Sequence, residues 1–263
     1  LGVKRIITTT IEHHAVGHTV EAIGHKNSIE IINLTLDKKG NINLDELRTF
    51  LSQDIKTLVT LMHANNEIST LIPLKEVSLL CREFGAYLHS DTVQTMGHYP
   101  FDLVDLDIDF ITCAAHKFHG PKGAGFAYVR KNLVLQPMIF GGEQEKGWRA
   151  GTESVHQIAG MAKALELSFE YLNEERKYIT DLKQYCFQKL QQAFPEFSVN
   201  GDDTSYNILN VLFPFSPEKT AMILFNLDIK RVAQKTKWQT LNFLIFSELQ
   251  TSNLCPLSTD RKC

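Results

Sequence analysis

The sequence predicts an α/β fold: a mainly parallel sheet with helices on both faces, followed by part of a smaller α+β domain. Three observations predict it. Extended and helical patterns alternate along the first half of the chain, as in β-α-β units. The extended segments are short apolar or β-branched runs without a polar alternation, the pattern of strands covered on both faces. Chemically versatile residues collect just after several of these runs, where open parallel sheets place their ligands.

The strand candidates are Arg5–Thr9, Ile29–Leu34, Thr57–Met62, Tyr87–Ser90, Phe110–Ala114 and Gly125–Val129. Helices are expected over Ala15–Ile23, over Leu44–Leu51 after the Lys39-Gly40 turn, and over Leu74–Phe84. The last begins after Pro73 at a first helical position and stops at Gly85, a residue suited to the position beyond a helix end. A long helical stretch from Val155 to Gln192 carries apolar residues at Ile158, Met161, Leu165, Leu172, Ile179, Leu182, Cys186 and Leu190, and its polar middle, Asn173 to Lys177, predicts a kink. A strand over Asn207–Phe213 and a helix opened by Ser216-Pro217-Glu218 read as the start of a second, smaller domain.

The bulk composition narrows the function. The 263 residues are 43% apolar and 22% charged, with a net charge of −3 and no basic block, so nucleic acid is not an expected partner. No apolar run reaches the roughly 18–20 residues of a membrane span, and no charged-then-apolar leader points to secretion. Five widely spaced cysteines, Cys81, Cys113, Cys186, Cys255 and Cys263, include no C-x-x-C pair, which fits reduced thiols in the cytoplasm. The histidines show no metal-ligand spacing, and Glu12-His13-His14 is the nearest approach, so no metal site is expected. The chain runs almost at once into a buried strand, which reads as a domain lacking its start.

Four successive strands deliver chemistry to one sheet edge. The first is followed by Thr10-Ile11-Glu12-His13-His14-Ala15-Val16, the third by His63-Ala64-Asn65-Asn66-Glu67, the fourth by His89-Ser90-Asp91-Thr92-Val93-Gln94, and the fifth by Ala115-His116-Lys117-Phe118-His119-Gly120-Pro121-Lys122-Gly123. Singly, each has a plain reading: a helix cap, a turn, an N-cap aspartate, a solvated lysine. Together they match one cofactor, pyridoxal phosphate, which needs a lysine to carry it and a carboxylate to keep its ring nitrogen protonated.

The segments T-x-x-E-H-x-A-V, H-x-N-N-E, H-x-D-x-x-Q, H-K-x-x-G-P-K-G and G-G-x-Q-E-x-G-x-R-x-G-T also resemble, in order and spacing, those of the NifS/IscS-type cysteine desulfurases of the class V aminotransferase family. Selenocysteine lyases share them, and such a lyase or another class V aminotransferase-fold enzyme is the alternative reading. The likeness runs from about Ile6 to Lys230 and includes Asn207-Ile208-Leu209-Asn210. It implies the large domain of an aspartate-aminotransferase-like, pyridoxal-phosphate-dependent enzyme over 1–154, incomplete at its start. A connecting helical segment over 155–192, a partial small domain over 193–230 and an unmatched tail over 231–263 then follow.

By the same resemblance, Lys117 carries the cofactor and takes the substrate Cα proton, Lys122 being the competitor in a glycine turn. Asp91 pairs with the ring nitrogen, Gln94 with the phenolic oxygen, and His13 stacks on the ring and moves protons. Asn66 holds the ring and the substrate carboxylate side. His116 contacts the phosphate, and Thr152 reaches the phosphate of a second subunit, which implies a homodimer. The implied reaction converts L-cysteine to L-alanine and passes sulfur to an acceptor protein for iron–sulfur or thio-cofactor assembly. Three departures predict impaired activity, or an inactive remnant. Ala114 stands where the family commonly has a phosphate-binding serine, the family's N-terminal phosphate-cradling turn is absent, and the sequence from Arg231 onward lacks the Ser/Gly-rich loop with its sulfur-accepting cysteine. Neither Cys255 nor Cys263 is expected to carry a persulfide.

Overall fold

Six strands build the main sheet: β1 (Arg5–Thr8), β2 (Glu30–Asn33), β3 (Thr57–Thr60), β4 (Tyr87–Asp91), β5 (Phe110–Ala114) and β6 (Gly125–Val129). The computed structural model describes residues 1–202, 204–216 and 222, together with the backbone of 235–237 and 240–244. Their order is β2-β1-β3-β4-β5-β6. The first five pair in parallel, and β6 closes the sheet antiparallel to β5. Ile7, Val59, Leu88 and Ile111, one from each of β1, β3, β4 and β5, are fully buried, as expected of strands covered on both faces.

The crossovers are helical: α1 (His14–Asn27), α2 (Leu44–Leu51), α3 (Leu74–Glu83) and the short α4 (Leu103–Leu106). The Asn43 side chain caps α2 by accepting from the Asp45 and Glu46 amides, and Asp102 caps α4 in the same way; each satisfies two of the orphaned N–H groups of a helix start. Pro73 falls one position earlier than expected, at the N-cap of α3 with φ −75°. Gly85 follows the Phe84 cap with φ +65°, the left-handed conformation that favours glycine at this position. The helices press Leu47, Leu51, Val77 and Leu80 into the sheet's core.

The amino-terminal edge of the sheet is held by buried ions. Arg5 donates to Glu30 at 2.7 Å, to the Phe50 carbonyl at 2.9 Å and to Gln53 at 2.8 Å. Asp109, 1% exposed, accepts from the Leu88 amide at 2.8 Å and from Arg130 Nε at 2.9 Å, and it also pairs with Arg82. One carboxylate thereby fastens β4, the start of β5 and the end of β6.

The chain divides into two units, Leu1–Asn66 with Thr70–Leu172, and Glu67–Ser69 with the chain from Asn173 on. The expected long helix is two: α5 (Val155–Glu170) and α6 (Leu172–Ala193). The break falls at Tyr171 and not in the polar Asn173–Lys177 segment. Those residues instead form the opening turns of α6, with Glu174 and Glu175 near its start, where acidic groups suit the positive end of the helix dipole.

The second unit contains an antiparallel sheet ordered β7 (Ser198–Val199), β8 (Ile208–Leu212), β10 (Thr240–Leu244) and β9 (Lys235–Lys237). Leu209, Val211 and Phe213 form its core with Cys186, Leu190 and Phe197. Within it, Lys183 Nζ donates to the Ser205 carbonyl at 2.6 Å and Asn210 to the Glu67 carbonyl at 2.8 Å. β9 and β10 fall in the tail that sequence likeness leaves unmatched. The helix expected from Ser216-Pro217-Glu218, and Cys255 and Cys263, lie outside the described residues. Among the described residues no helix is long and apolar enough to cross a membrane, and no group of three or more His, Cys, Asp or Glu could hold a metal ion.

Breaking a buried ion network strands the remaining charges. Replacing Asp109 by alanine (Asp109→Ala) is therefore expected to lower stability by about 3 kcal/mol, read as a lower urea midpoint at unchanged slope.

Candidate active site

Because β1, β3, β4 and β5 run in parallel, their carboxyl ends share one edge, and the segments that leave them are bonded to one another there. The His63 amide donates to the Asp91 carbonyl at 2.9 Å and Thr92 N to the Thr112 carbonyl at 2.9 Å. Asn65 Nδ2 donates to the Ile11 carbonyl at 2.8 Å, and Glu12 accepts from the Met62 amide at 2.9 Å. The His63 ring meets the Thr95 hydroxyl at 3.0 Å and stands edge-on to Phe101.

His13 fulfils the plain reading as well as leaving room for another. Its Nδ1 accepts from the Ala15 amide at 3.2 Å and caps α1. In the neutral ring that bond places the remaining proton on Nε2, on an exposed imidazole. Asp91 likewise uses one oxygen in a turn, Oδ1 accepting from the Val93 amide at 2.9 Å. Asp91 is 7% exposed, and burial raises its pKa; the Val93 bond and the nearby His13 act in the opposite sense. A carboxylate held this way gains from a cationic partner. Asn66 and Gln94, each 8% exposed, complete the buried polar set.

Lys117 ends a single 3₁₀ turn, Ala115–Lys117, directly after β5. The turn is fixed by its neighbours. Phe118 is fully buried, and Phe118 N and Gly120 N both donate to the Ala115 carbonyl, at 3.1 and 2.8 Å. His98 Nε2 lies 2.9 Å from the Lys117 carbonyl. Gly97, with φ +79°, brings its backbone so near that an added Cβ would stand 2.7 Å from the Phe118 Cβ, so only glycine fits there. His116 is solvent-exposed; partial desolvation first, then Lys117 and Lys122, lowers its pKa.

The edge thus gathers His13, Asn66, Asp91, Gln94, His116 and Lys117 on four neighbouring strand ends. Thr152 is exposed in the loop before α5 and, among the described residues, makes no hydrogen bond to another candidate. Ala114 closes β5 and brings no hydroxyl to this edge. Sequence reading did not single out His63, His89, Gly97, His98 or Phe118. His89 Nδ1 lies 2.7 Å from the Thr60 hydroxyl and Nε2 3.1 Å from that of Thr112, so one ring bridges three strands two residues below Asp91. The repeated His-x-Asn and His-x-Asp pattern was the available signal; the threonine partners come from other strands.

This mainly parallel sheet with helical crossovers is the fold of solved NifS-like structures. The Aminotransferase class-V family model matches residues 3–233, and the chain belongs to that family. It is similar to the cysteine desulfurase IscS of Dictyoglomus turgidum, 39% identical over 236 residues that cover 89% of this chain and 59% of that protein. It is also similar to the putative cysteine desulfurase IscS 1 of Bacillus subtilis, 39% identical over 88% of this chain and 60% of that protein. The chain therefore spans about three fifths of the length of these relatives. A solved NifS-like protein superposes with a TM-score of 0.85 at 31% identity, covering 94% of this chain and 72% of that one.

Desolvation also moves three partly buried groups of this edge away from their ordinary ranges. Burial pushes His63 and His89 down to about 4 and Glu12 up to about 7. A histidine whose folded pKa lies below its unfolded value of about 6.5 contributes stability that is fully present above that pH and is lost as the pH falls toward about 4. Glu12 has the opposite sign, its stability present below an ordinary value of 4.5 and lost as the pH rises through about 7. His89→Gln is expected to reduce the rise of stability with pH, between about pH 4.5 and 6, by about one proton, or about 1.4 kcal/mol per pH unit. Denaturant midpoints of both proteins across that range measure it, and parallel curves would refute the burial of a neutral ring.

Proposed function

We propose that this chain is the cofactor-holding part of a pyridoxal-phosphate-dependent cysteine desulfurase, taking sulfur from L-cysteine and leaving L-alanine, for iron–sulfur or thio-cofactor assembly. The observation that carries the reading is the buried Asp91 carboxyl beside His13, one strand from Lys117, at a single sheet edge. The residues fit the cofactor. Asp91 is penalised by burial and engages only Oδ1 among the described residues, so a protonated ring nitrogen against Oδ2 would relieve it through a charge-assisted bond.

When bound, pyridoxal phosphate supplies an electron sink for the substrate's Cα. The remaining work falls to the chain. Lys117 would anchor the cofactor and take the Cα proton at Nζ, and its fixed turn would set where that amine stands. Asp91 would keep the ring nitrogen protonated and Gln94 would hold the phenolic oxygen. His13, with Nε2 free of its capping bond, covers the ring and moves a proton. Asn66 would orient the substrate's carboxylate side and His116 would contact the phosphate, to which Ala114 would offer no hydroxyl. A lost bond to so charged a group costs about 1–3 kcal/mol, which supports weak cofactor retention. Free thiols at Cys81, Cys113 and Cys186 support a reducing, cytoplasmic setting.

The partner of the site is a second copy of the chain. Val134, Met138 and Phe140 are 83%, 88% and 83% exposed, and Ile139, Trp148 and Val155 are exposed nearby in sequence. So much apolar side chain in one stretch marks an interaction surface, and the same stretch holds Thr152, which in such a dimer would reach the other subunit's phosphate. A sulfur-acceptor protein completes the set of partners.

Two outcomes test this. Borohydride reduction of the cofactor-treated chain is expected to fix the label on the peptide holding His116-Lys117-Phe118, with Lys117→Ala losing it and Lys122→Ala keeping it; a label on Lys122 would defeat the assignment. In sedimentation velocity the chain is expected to run as a dimer and the Phe140→Glu variant as a monomer; an unaltered distribution would place the interface elsewhere.

A further inference from the structure

Glu12 has none of the roles assigned above, yet it is the most heavily bonded side chain of the segment that carries His13. From the loop after β1 it reaches the end of β3, where Oε1 accepts from the Met62 amide at 2.9 Å and from the Thr9 hydroxyl at 3.1 Å. One residue earlier the Ile11 carbonyl accepts from Asn65 at 2.8 Å. The approach to His13 is thus tied at two successive residues to Met62 and Asn65, just ahead of Asn66. The second oxygen, Oε2, is buried without a partner, beside a small cavity lined by Thr9, Ile11, Met62, Asn65 and Thr70. Leaving a carboxyl oxygen dry and unbonded is costly, and the nearby Asp91 adds to the cost by repelling the ionised form. A residue kept at such expense is held for where its other oxygen reaches. Burial, with Asp91 nearby, pushes its pKa up to about 7, which disfavours the charged form and leaves the geometry of Oε1 as its contribution.

We propose that Glu12 is a positioning residue: its Oε1 clamps the His13 loop to the end of β3 and so fixes where the His13 ring stands beside Asp91. The clamp itself is independent of the cofactor; its effect on the covering of the cofactor ring rests on the reading given under Proposed function.

Amide hydrogen exchange of the cofactor-free chain tests the clamp. Glu12→Ala is expected to speed exchange at Met62 and across residues 9–16 by about tenfold or more, a local opening, with the amides of β4 and β5 unchanged. Glu12→Gln, whose amide oxygen can accept the same two bonds, restores protection. Glu12→Asp, one methylene too short, carries the same expectation as the alanine variant should that one fail to fold. Uniform acceleration over the sheet, unchanged exchange at Met62, or a glutamine variant as fast as the alanine one would each overturn the clamp. The link to His13 is read by a double-mutant cycle on pyridoxal phosphate affinity, followed by absorbance. If Glu12 acts through His13, Glu12→Ala adds no more than about twofold to the loss caused by His13→Ala, whereas losses that multiply mean independent roles and overturn the link. If the unaltered chain takes up no cofactor while the exchange result holds, the clamp stands and the desulfurase reading fails.

Discussion

Parallel pairing of β1, β3, β4 and β5 is the constraint on which the rest of this structure depends. A parallel strand can be reached only by carrying the chain back across the sheet, so each strand enters at one edge and leaves at the other. The two edges have taken on different physics. At the entry edge Arg5 and Asp109 are buried with their hydrogen bonds directed at specific partners, and those bonds hold the strands in register. At the exit edge the side chains bind one another less completely: His13 and Asp91 each spend one polar atom on the backbone, and Glu12 leaves Oε2 unbonded.

That incompleteness has a local electrostatic character. Glu12 and Asp91 are both drawn out of water and repel each other, while His13 eases the charge on Asp91. Around them the imidazoles of His63 and His89 are kept neutral by burial, held by threonine hydroxyls and not by acids. The neutral rings stiffen the edge without supplying a positive charge to Asp91. A site arranged this way favours a ligand bearing a positive charge opposite Asp91.

Much of this was legible in the sequence, for identifiable reasons. β5, β6 and α2 fall where apolar runs and turn residues put them, since their ends are set by local signals. β4 runs one residue beyond expectation because Asp91 pairs with Thr112 in β5, and a pairing partner is not a local property. The four-residue α4 is too short to show a helical period. The division at Tyr171 was misplaced because polarity alone marked the kink, whereas the acidic residues there suit a helix start. At the site, the H-x-N-N-E and H-x-D-x-x-Q segments placed Asn66 and Asp91 after β3 and at the end of β4. The supports of the Lys117 turn were hidden, because Gly97 and Ser168 come to Phe118, and His98 to the Lys117 carbonyl, from elsewhere in the chain.

The crowding of Gly97 against Phe118 bears on how tolerance to substitution in this protein would be interpreted. A survey of every position would score Gly97 as intolerant as a reacting group, although it offers no functional atom. Its side-chain hydrogen is simply the largest substituent the space allows. Intolerance and chemistry are therefore separable here. Positions that fail through volume should fail for every replacement in proportion to size, whereas positions that fail through reactivity should discriminate between replacements of equal size.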